Sequence, residues 1–187
     1  MDLQLFDSLR QEVLNAIYPL QTEMDLNIGF ILKVSSQSGK CNSKILLSGS
    51  GADEIFGGYA RYKNLYRKNE IEEMECEMKK DQKIYWQKNI SRDDRVISSS
   101  GKELRTPFII QSLWKFANRL PLQFLFGDLN NLQEKFILRK LSEAYGLQVA
   151  AVAPKRALQF GSGIAKSVNL RDYGTCRIGK GDSIKGV

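Results

Sequence analysis

The sequence predicts an α/β fold that is mostly helical and contains one buried parallel strand. Apolar residues recur at three- and four-residue spacing along most of the 187 residues, which is typical of amphipathic helices. The short run Lys44–Leu47 is apolar after its lysine and is bounded by turn residues, which indicates a buried strand. Glycines, serines and two carboxylates follow at once in Ser48–Gly58. Because open α/β folds bind ligands at the carboxyl ends of their strands, we expect a site there.

Two helices are predicted before the strand. The first spans residues 2–18 and stops at Pro19. Its apolar positions recur every fourth residue, at Leu5, Leu9, Val13 and Ile17. The second runs from Met24 to about Ser36, and the polar run Gln37–Ser43 that follows is a loop by composition.

The middle of the chain is also predicted to be helical. Tyr59–Tyr66 carries aromatic and apolar residues at helical spacing, and a longer helix is expected from about Ile71 to Ile90. The following segment, Ser91–Thr106, is a dense polar cluster. We find no second convincing strand in the sequence.

Prolines and glycines divide the rest of the chain. Pro107 is expected to begin a helix that continues through Ala117 and ends at Pro121. The apolar run Leu122–Phe126 indicates either a turn of packed loop or a short strand. Leu132–Tyr145 predicts an amphipathic helix closed by Gly146, a residue suited to a left-handed C-terminal cap.

The composition limits the classes of function. The net charge is +7, but the cations are scattered and the acidic run Glu70–Glu77 interrupts them, so we expect no nucleic-acid partner. Histidine is absent and the three cysteines are widely spaced, which excludes the usual Cys/His zinc sites and any His-based triad. The chain shows neither a signal peptide nor a run of ~18 apolar residues. We therefore expect a cytoplasmic protein with reduced thiols and no membrane partner.

Three polar clusters carry the candidate chemistry. Ser48–Gly58 suits phosphate and metal binding, because glycines let the backbone approach phosphate and a carboxylate can hold a bridging cation. Arg92–Phe108 alternates opposite charges and favours ion pairs that brace helices, including one between Glu103 and Arg105. Pro154–Lys166 places two cations before a Gly-Ser-Gly turn, which fits a phosphate cradle or a helix start.

The order of these motifs resembles a known family. Ser48-Gly-x-Gly-Ala-Asp-Glu-x-x-Gly-Gly-Tyr59 is followed by Gly101-Lys-Glu-x-Arg-x-Pro-Phe108 and by Pro154-Lys-Arg-Ala-x-Gln-Phe-Gly-Ser162. Together they resemble the C-terminal synthetase domain of glutamine-hydrolysing asparagine synthetases, over about residues 17–168. We therefore expect residues 1–170 to form part of that domain and residues 171–187 to be a flexible tail.

The resemblance implies a partial ATP-pyrophosphatase fold, which is Rossmann-like and of the adenine nucleotide alpha hydrolase type. It implies ATP and magnesium as cofactors and aspartate as substrate, with amidation through a β-aspartyl-AMP intermediate. It also assigns roles to residues of this chain. Nucleotide contact is implied for Leu47, Ser48 and Gly49, magnesium binding for Asp53, a place near pyrophosphate for Arg92, and stabilisation of the adenylation transition state for Lys155 or Arg156.

The chain departs from the family pattern at several points. No stretch of residues 1–43 matches the family's Ser-Gly-Gly-x-Asp-Ser pyrophosphate loop, and residue 2 is Asp2, not the glutaminase cysteine. Ser50 stands where asparagine synthetases carry a glutamate, and Asn89 stands where a carboxylate is expected. A neutral amide cannot act as a general base.

These departures leave two interpretations open. The chain is either the C-terminal part of a carbon–nitrogen ligase, inactive by itself and in need of the missing N-terminal half, or a remnant that serves as a non-enzymatic interaction module.

Overall fold

A computed structural model describes residues 3–37 and 42–164 of the chain. Two compact units are formed by discontinuous stretches of the sequence. Unit 1 comprises Met1–Leu46, Gln87–Arg105 and Arg156–Val187, and unit 2 comprises Leu47–Trp86 and Thr106–Lys155. The segment predicted as a tail, 171–187, lies outside the described residues.

Helices dominate both units, and a small parallel sheet of two strands accompanies them. The α-helices in chain order are α1 Leu3–Ile17, α2 Glu23–Gln37, α3 Ala52–Ile55, α4 Ala60–Arg67, α5 Ile71–Tyr85, α6 Ser91–Ser98, α7 Gln111–Ala117, α8 Leu122–Phe126, α9 Phe136–Ala144, α10 Gln148–Val152 and α11 Leu158–Gly161. The strands are β1 Ile45–Leu47 and β2 Glu103–Arg105. A π-helical turn spans Trp86–Ile90, and a 3-10 turn spans Pro107–Ile109.

The core of unit 1 lies where α1, α2 and α6 pack together. Its buried side chains are Leu9, Val13, Leu14, Ile17, Leu26, Phe30, Val96 and Ile164. The first turn of α2 is capped by Thr22, whose hydroxyl oxygen accepts a hydrogen bond of 3.1 Å from the Asp25 amide. Arg95 donates to the carbonyls of Ala16 and Ile17, and so satisfies backbone groups left unpaired at the end of α1.

The core of unit 2 is built around α5 and the aromatic side chains that cover it. Its buried members are Ile55, Phe56, Tyr62, Met74, Met78, Ala117, Leu125 and Phe126. Gln82 of α5 links two neighbours, because its amide nitrogen lies 3.0 Å from both the Glu54 carbonyl and the Asn118 side-chain oxygen. The motif after β1 is therefore anchored to the longest helix of its own unit.

The predicted strand forms, but the expectation that it is buried was wrong. Ile45 is 47% exposed and Leu47 is 77% exposed. Burial of a strand depends on its neighbours in the sheet, and β2 is the one strand that pairs with β1 in the described part of the chain. The sequence analysis also missed β2, because three residues with charges at both ends give no apolar pattern.

Glu103 and Arg105 do form the expected ion pair, with Nε of the arginine 2.7 Å from Oε1 of the glutamate. Both side chains are exposed and lie on the same short strand. The pair therefore braces no helices, contrary to the expectation for this cluster.

Two helix predictions and one prediction of a loop or strand differ from the structure. The helix predicted from Ile71 to Ile90 is α-helical only to Tyr85, and the π-turn then leads into α6 within the segment expected to be a polar cluster. The helix expected from Pro107 is interrupted at Ile110, whose backbone is extended, and resumes as α7. Leu122–Phe126 is neither loop nor strand but α8, because Pro121 precedes a turn that buries Leu125 and Phe126.

Four other helices agree with the sequence, whereas α3, α10 and α11 were not predicted. α1, α2 and α4 lie where the apolar spacing predicts them. α9 is shorter than the predicted Leu132–Tyr145, and Gly146 has the expected left-handed conformation after it, with φ of 75°. In the ranges 3–37 and 42–164, no helix has the length and apolar character needed to cross a membrane.

Gly29 permits the close approach of α1 and α2. A Cβ at this position would lie 2.8 Å from Cγ1 of Val13 and 2.9 Å from Cγ2 of Ile17. Since a packed core resists added volume, we expect Gly29→Val to lower the free energy of unfolding by about 1–3 kcal/mol. The measurement is urea denaturation of the full chain.

Ser35→Val is the matched control, because Ser35 is exposed on the same helix. The same β-branched side chain there should change the free energy of unfolding by less than about 0.5 kcal/mol. Equal effects at the two positions would contradict close packing at Gly29.

Candidate functional site

The turn after β1 leaves backbone groups accessible at the start of α3. The Ser48 hydroxyl accepts a hydrogen bond of 3.2 Å from the Ser50 amide, which holds the turn. The Gly49 carbonyl accepts a hydrogen bond of 3.3 Å from the Ala52 amide. Among the described residues, apart from its two chain neighbours, no heavy atom lies within 4 Å of the place where a Gly49 Cβ would stand, so a ligand could approach the backbone there.

Asp53 lies at the start of α3 between two lysines. Its Oδ1 is 2.9 Å from the Lys135 Nζ, and its Oδ2 is 3.5 Å from the Lys155 Nζ. All three side chains are partly exposed. One carboxylate therefore faces two ammonium groups, which leaves a net positive charge at a surface that solvent can reach.

Gly58 makes room for this carboxylate. Its amide donates a 2.8 Å hydrogen bond to the Asp53 carbonyl, and a Cβ at position 58 would overlap the Asp53 carboxylate. The second glycine of the Gly-Gly-Tyr sequence is thus required by the close approach of the backbone to Asp53.

Lys135 is the member of this cluster that the sequence analysis missed. It immediately precedes α9, and its backbone has φ of 55° and ψ of 42°, in the left-handed region. A lysine in this conformation is uncommon and carries strain that the surrounding structure must hold. The sequence predicted Lys135 to lie inside the helix Leu132–Tyr145, which does not indicate where its side chain goes.

Lys155 has a second contact in the ring of Tyr59. Its Nζ lies 4.7 Å from the ring centroid, within the range of a cation–π interaction. The Tyr59 hydroxyl donates a hydrogen bond of 2.6 Å to Oε1 of Glu54. Tyr59 thus joins a buried carboxylate to a cation of the Asp53 cluster, and the sequence analysis assigned it no such role.

Burial determines the protonation of this neighbouring pair. Glu54 is 3% exposed, and desolvation raises its pKa although the Tyr59 hydrogen bond opposes the shift. Burial also raises the pKa of Tyr59, and the adjacent Glu54 adds to the effect. Glu54 therefore binds a proton more readily than an exposed glutamate does.

Arg92 and Arg156, the other two predicted cations, belong to unit 1. Arg92 is 4% exposed, and its Nη1 and Nη2 lie 2.7 Å from Oδ1 of Asp25 and Oδ1 of Asp93 respectively. Burial alone would lower its pKa, but Asp93 and Asp25 outweigh that effect and raise the pKa above its ordinary value. Arg156 is exposed. Of the charged residues predicted for the site, Asp53 and Lys155 are in contact within unit 2, whereas Arg92 and Arg156 belong to unit 1.

The donor set at Asp53 fits magnesium only in part. Asp53 Oδ1 is hidden from solvent, and the Lys135 ammonium, 2.9 Å away, would compete with a cation for it. Magnesium often uses one or two carboxylates together with phosphate oxygens and water. Across residues 3–37 and 42–164 no group of three His, Cys, Asp or Glu side chains converges, so Asp53 would hold the ion only alongside a phosphate ligand.

Comparisons with known proteins identify the family. The asparagine synthase family model matches residues 30–86 and 68–173, so the chain belongs to the asparagine synthase family. It is 36% identical to asparagine synthetase domain-containing proteins of Drosophila melanogaster, over 87% of the chain, and of Gallus gallus, over 92%. It is 30% identical to a putative glutamine-hydrolysing asparagine synthetase of Methanocaldococcus jannaschii, over 78% of the chain.

These matches cover only part of each relative. The chain spans 30% of the Drosophila and Gallus proteins and 32% of the Methanocaldococcus protein. The resemblance on which the sequence analysis rested is confirmed, and the chain contains an asparagine-synthetase-like domain sequence.

The buried position of Arg92 predicts a large structural effect. Replacement by methionine would leave Asp25 and Asp93 without their cation, so we expect Arg92→Met to lower the free energy of unfolding by about 3–5 kcal/mol. Arg105→Met removes an exposed ion pair of the same 2.7 Å length, and should cost less than about 1 kcal/mol. Urea denaturation compares the two, and similar losses would show that burial does not govern the contribution of Arg92.

The raised pKa of Glu54 predicts a pH dependence of stability. Because the folded protein binds this proton more tightly, the stabilisation is complete below the ordinary pKa of 4.5 and is lost as the pH rises through the folded value. Glu54→Gln removes the titration and keeps an oxygen that can accept from Tyr59.

We therefore expect wild-type stability to fall relative to Glu54→Gln as the pH is raised from 4.5 toward 7. The free energy of unfolding of both proteins, measured at each pH, gives this difference directly. A difference that stays constant, or that moves in favour of wild type, would contradict the raised pKa.

Proposed function

We propose that the chain binds the phosphates of ATP in an asparagine-synthetase-like domain. The site would lie at the turn after β1, with the backbone of Leu47, Ser48 and Gly49 against the nucleotide. The family is the first support for this proposal, and the exposed turn is the second.

The arrangement of Asp53, Lys135 and Lys155 carries the proposal. Two ammonium groups within 3.5 Å of a single carboxylate give an excess of positive charge at a partly exposed surface. Anions are favoured there, and cations placed where phosphoryl charge develops stabilise a transition state electrostatically. The family resemblance assigns this role to Lys155 or Arg156, and the contact of Lys155 with Asp53 favours Lys155 over the exposed Arg156.

The proposed reaction is the ATP-dependent amidation of aspartate. An oxygen of the side-chain carboxylate would attack the α-phosphorus, the bond to the β-phosphate would break, and pyrophosphate would leave. An amine would then attack the acyl carbon and release AMP. Magnesium bound beside Asp53 would neutralise phosphate charge, while Lys135 and Lys155 would hold the departing pyrophosphate. For Arg92 the resemblance alone supports a phosphate contact.

We further propose that the chain by itself does not turn over. The sequence contains no Ser-Gly-Gly-x-Asp-Ser loop, and the side chains of Ser50 and Asn89 cannot replace carboxylates in proton transfer. Purified chain should release no aspartate-dependent pyrophosphate from ATP, and such release would overturn this part of the proposal.

A non-enzymatic interaction module is the alternative. The neutral side chains at Ser50 and Asn89 favour it, since a protein that only binds partners needs no base. In that case the ion pairs of Asp53 would serve stability alone, and loss of the carboxylate would change the melting temperature without changing the affinity for phosphate.

Pyrophosphate binding with and without magnesium separates these possibilities. Asp53→Asn removes the metal ligand but keeps both lysines, so we expect it to abolish the strengthening of pyrophosphate binding by magnesium. Metal-free binding should persist or improve, because the ammonium groups lose their competing carboxylate. Isothermal titration with pyrophosphate, with and without magnesium, gives both quantities.

Asp128→Asn is the matched control, because Asp128 is an exposed aspartate of the same unit, and Oδ1 of the asparagine could still accept from the Asn131 amide. It should leave both affinities unchanged. Absence of pyrophosphate binding by wild-type chain, or equal magnesium dependence in Asp53→Asn, would refute the proposed site.

A further inference from the structure

Arg139 connects the two segments that carry the lysines of the Asp53 cluster. Its Nε donates a hydrogen bond of 2.9 Å to the Glu134 carbonyl, directly before Lys135. Its Nη1 donates to the carbonyls of Ala151 and Ala153, at 2.7 and 2.9 Å, directly before the segment of Lys155. One guanidinium therefore bonds three backbone oxygens from two separate turns of unit 2.

The carbonyls of Ala151 and Ala153 need such a donor. They lie at the end of α10, where the last turn of a helix leaves carbonyl groups without intrahelical partners. A cation at this end also interacts favourably with the helix dipole. Pro154 follows and cannot continue the helix, so the hydrogen bonds to Arg139 fix the point from which the chain leaves toward Lys155.

The Glu134 carbonyl fixes the other segment. Lys135 has a left-handed backbone conformation, which is unfavourable for lysine unless neighbouring contacts hold it. Three contacts surround it: the Arg139 side chain bonds the Glu134 carbonyl, the Arg139 amide donates 3.1 Å to the Lys135 carbonyl, and the Glu134 carboxylate pairs with Lys63. That ion pair lowers the pKa of Glu134 although burial alone would raise it.

These contacts link Arg139, Asp53 and the two lysines in one continuous network. From Arg139 the path runs through the α10 terminus to Lys155, across Asp53 to Lys135, and back to Arg139 through α9. A lysine at position 139 could not reproduce it, because an ammonium is a single point charge and cannot present the planar fork of donors that spans both turns.

We propose that Arg139 is the positioning residue for the two-lysine phosphate site. It does not touch the ligand. It acts by setting where Lys135 and Lys155 stand relative to Asp53. This inference rests on the proposed function for the identity of the ligand, but the placement of the lysines can be tested without any ligand.

The first measurement is the reactivity of individual lysines toward trace acetylation, read by mass spectrometry. Lys155 is protected by Asp53 and by the Tyr59 ring, so we expect Arg139→Met to raise acetylation of Lys155 and Lys135. Lys79 serves as the internal reference, because it is exposed on α5 and pairs with Glu75. Its reactivity should not change.

The second measurement is the affinity for pyrophosphate in magnesium, which should weaken about tenfold in Arg139→Met. Arg67→Met is the matched control, since it removes an exposed arginine of the same unit that makes a long hydrogen bond of 3.4 Å to Asn64. Arg139→Lys keeps the charge and should still show weakened affinity. It replaces the methionine variant in both assays if that variant is unfolded.

The outcomes are distinct. Raised acetylation of Lys155 with weaker pyrophosphate binding supports the positioning role. A lower melting temperature with unchanged lysine reactivity and unchanged affinity overturns it, because Arg139 then serves stability alone. If wild-type chain binds no pyrophosphate, the proposed function fails, and the acetylation pattern by itself decides whether Arg139 places the lysines.

Discussion

The geometry of the candidate site depends on one carboxylate between two ammonium groups. The ammonium groups of Lys135 and Lys155 repel each other, and Asp53 allows both to remain within 3.5 Å of its carboxylate oxygens. The three residues come from α3, from the residue before α9 and from the segment after α10, so the ion pairs connect separate parts of unit 2. Gly58 and Arg139 serve the same arrangement, one by making room for the carboxylate and the other by bonding the backbone near each lysine.

Unit 1 contains the opposite arrangement of charges, with one cation between two carboxylates. There a single cation, Arg92, faces Asp25 and Asp93 in a buried setting. Charged groups removed from water need partners within the protein, so removing one member of these buried ion pairs lowers the stability strongly. The Asp53 cluster is partly exposed, and its ion pairs can exchange for a ligand at lower cost. The sequence motifs made both Arg92 and Lys155 candidates for phosphate contact. The structure distinguishes them, because Arg92 is buried and Lys155 is partly exposed.

Local chemistry was predictable from the sequence and long-range placement was not. The glycine-serine turn and Asp53 stand out by residue type, Lys155 comes from the family resemblance, and the structure brings Asp53 and Lys155 together. Lys135 was missed because its approach depends on a left-handed backbone and on contacts made by Arg139. The burial of β1 was wrongly predicted because apolar composition does not indicate how many strands flank it. α8 was missed because five residues are too few to display a helical period.

Glu54 is the obvious replacement for the acid that Ser50 lacks, since it is the carboxylate next to Asp53. Its surroundings argue against that role. The side chain is almost fully buried, and its Oε1 accepts a hydrogen bond from the Tyr59 hydroxyl. A base must reach the proton that it removes. The proposed phosphate site requires only the turn after β1 and the cations around Asp53, whereas proton transfer requires a base that the substrate can reach. The cations proposed for phosphate binding meet at Asp53 in unit 2, whereas the carboxylate of Glu54 is buried and bonded to Tyr59.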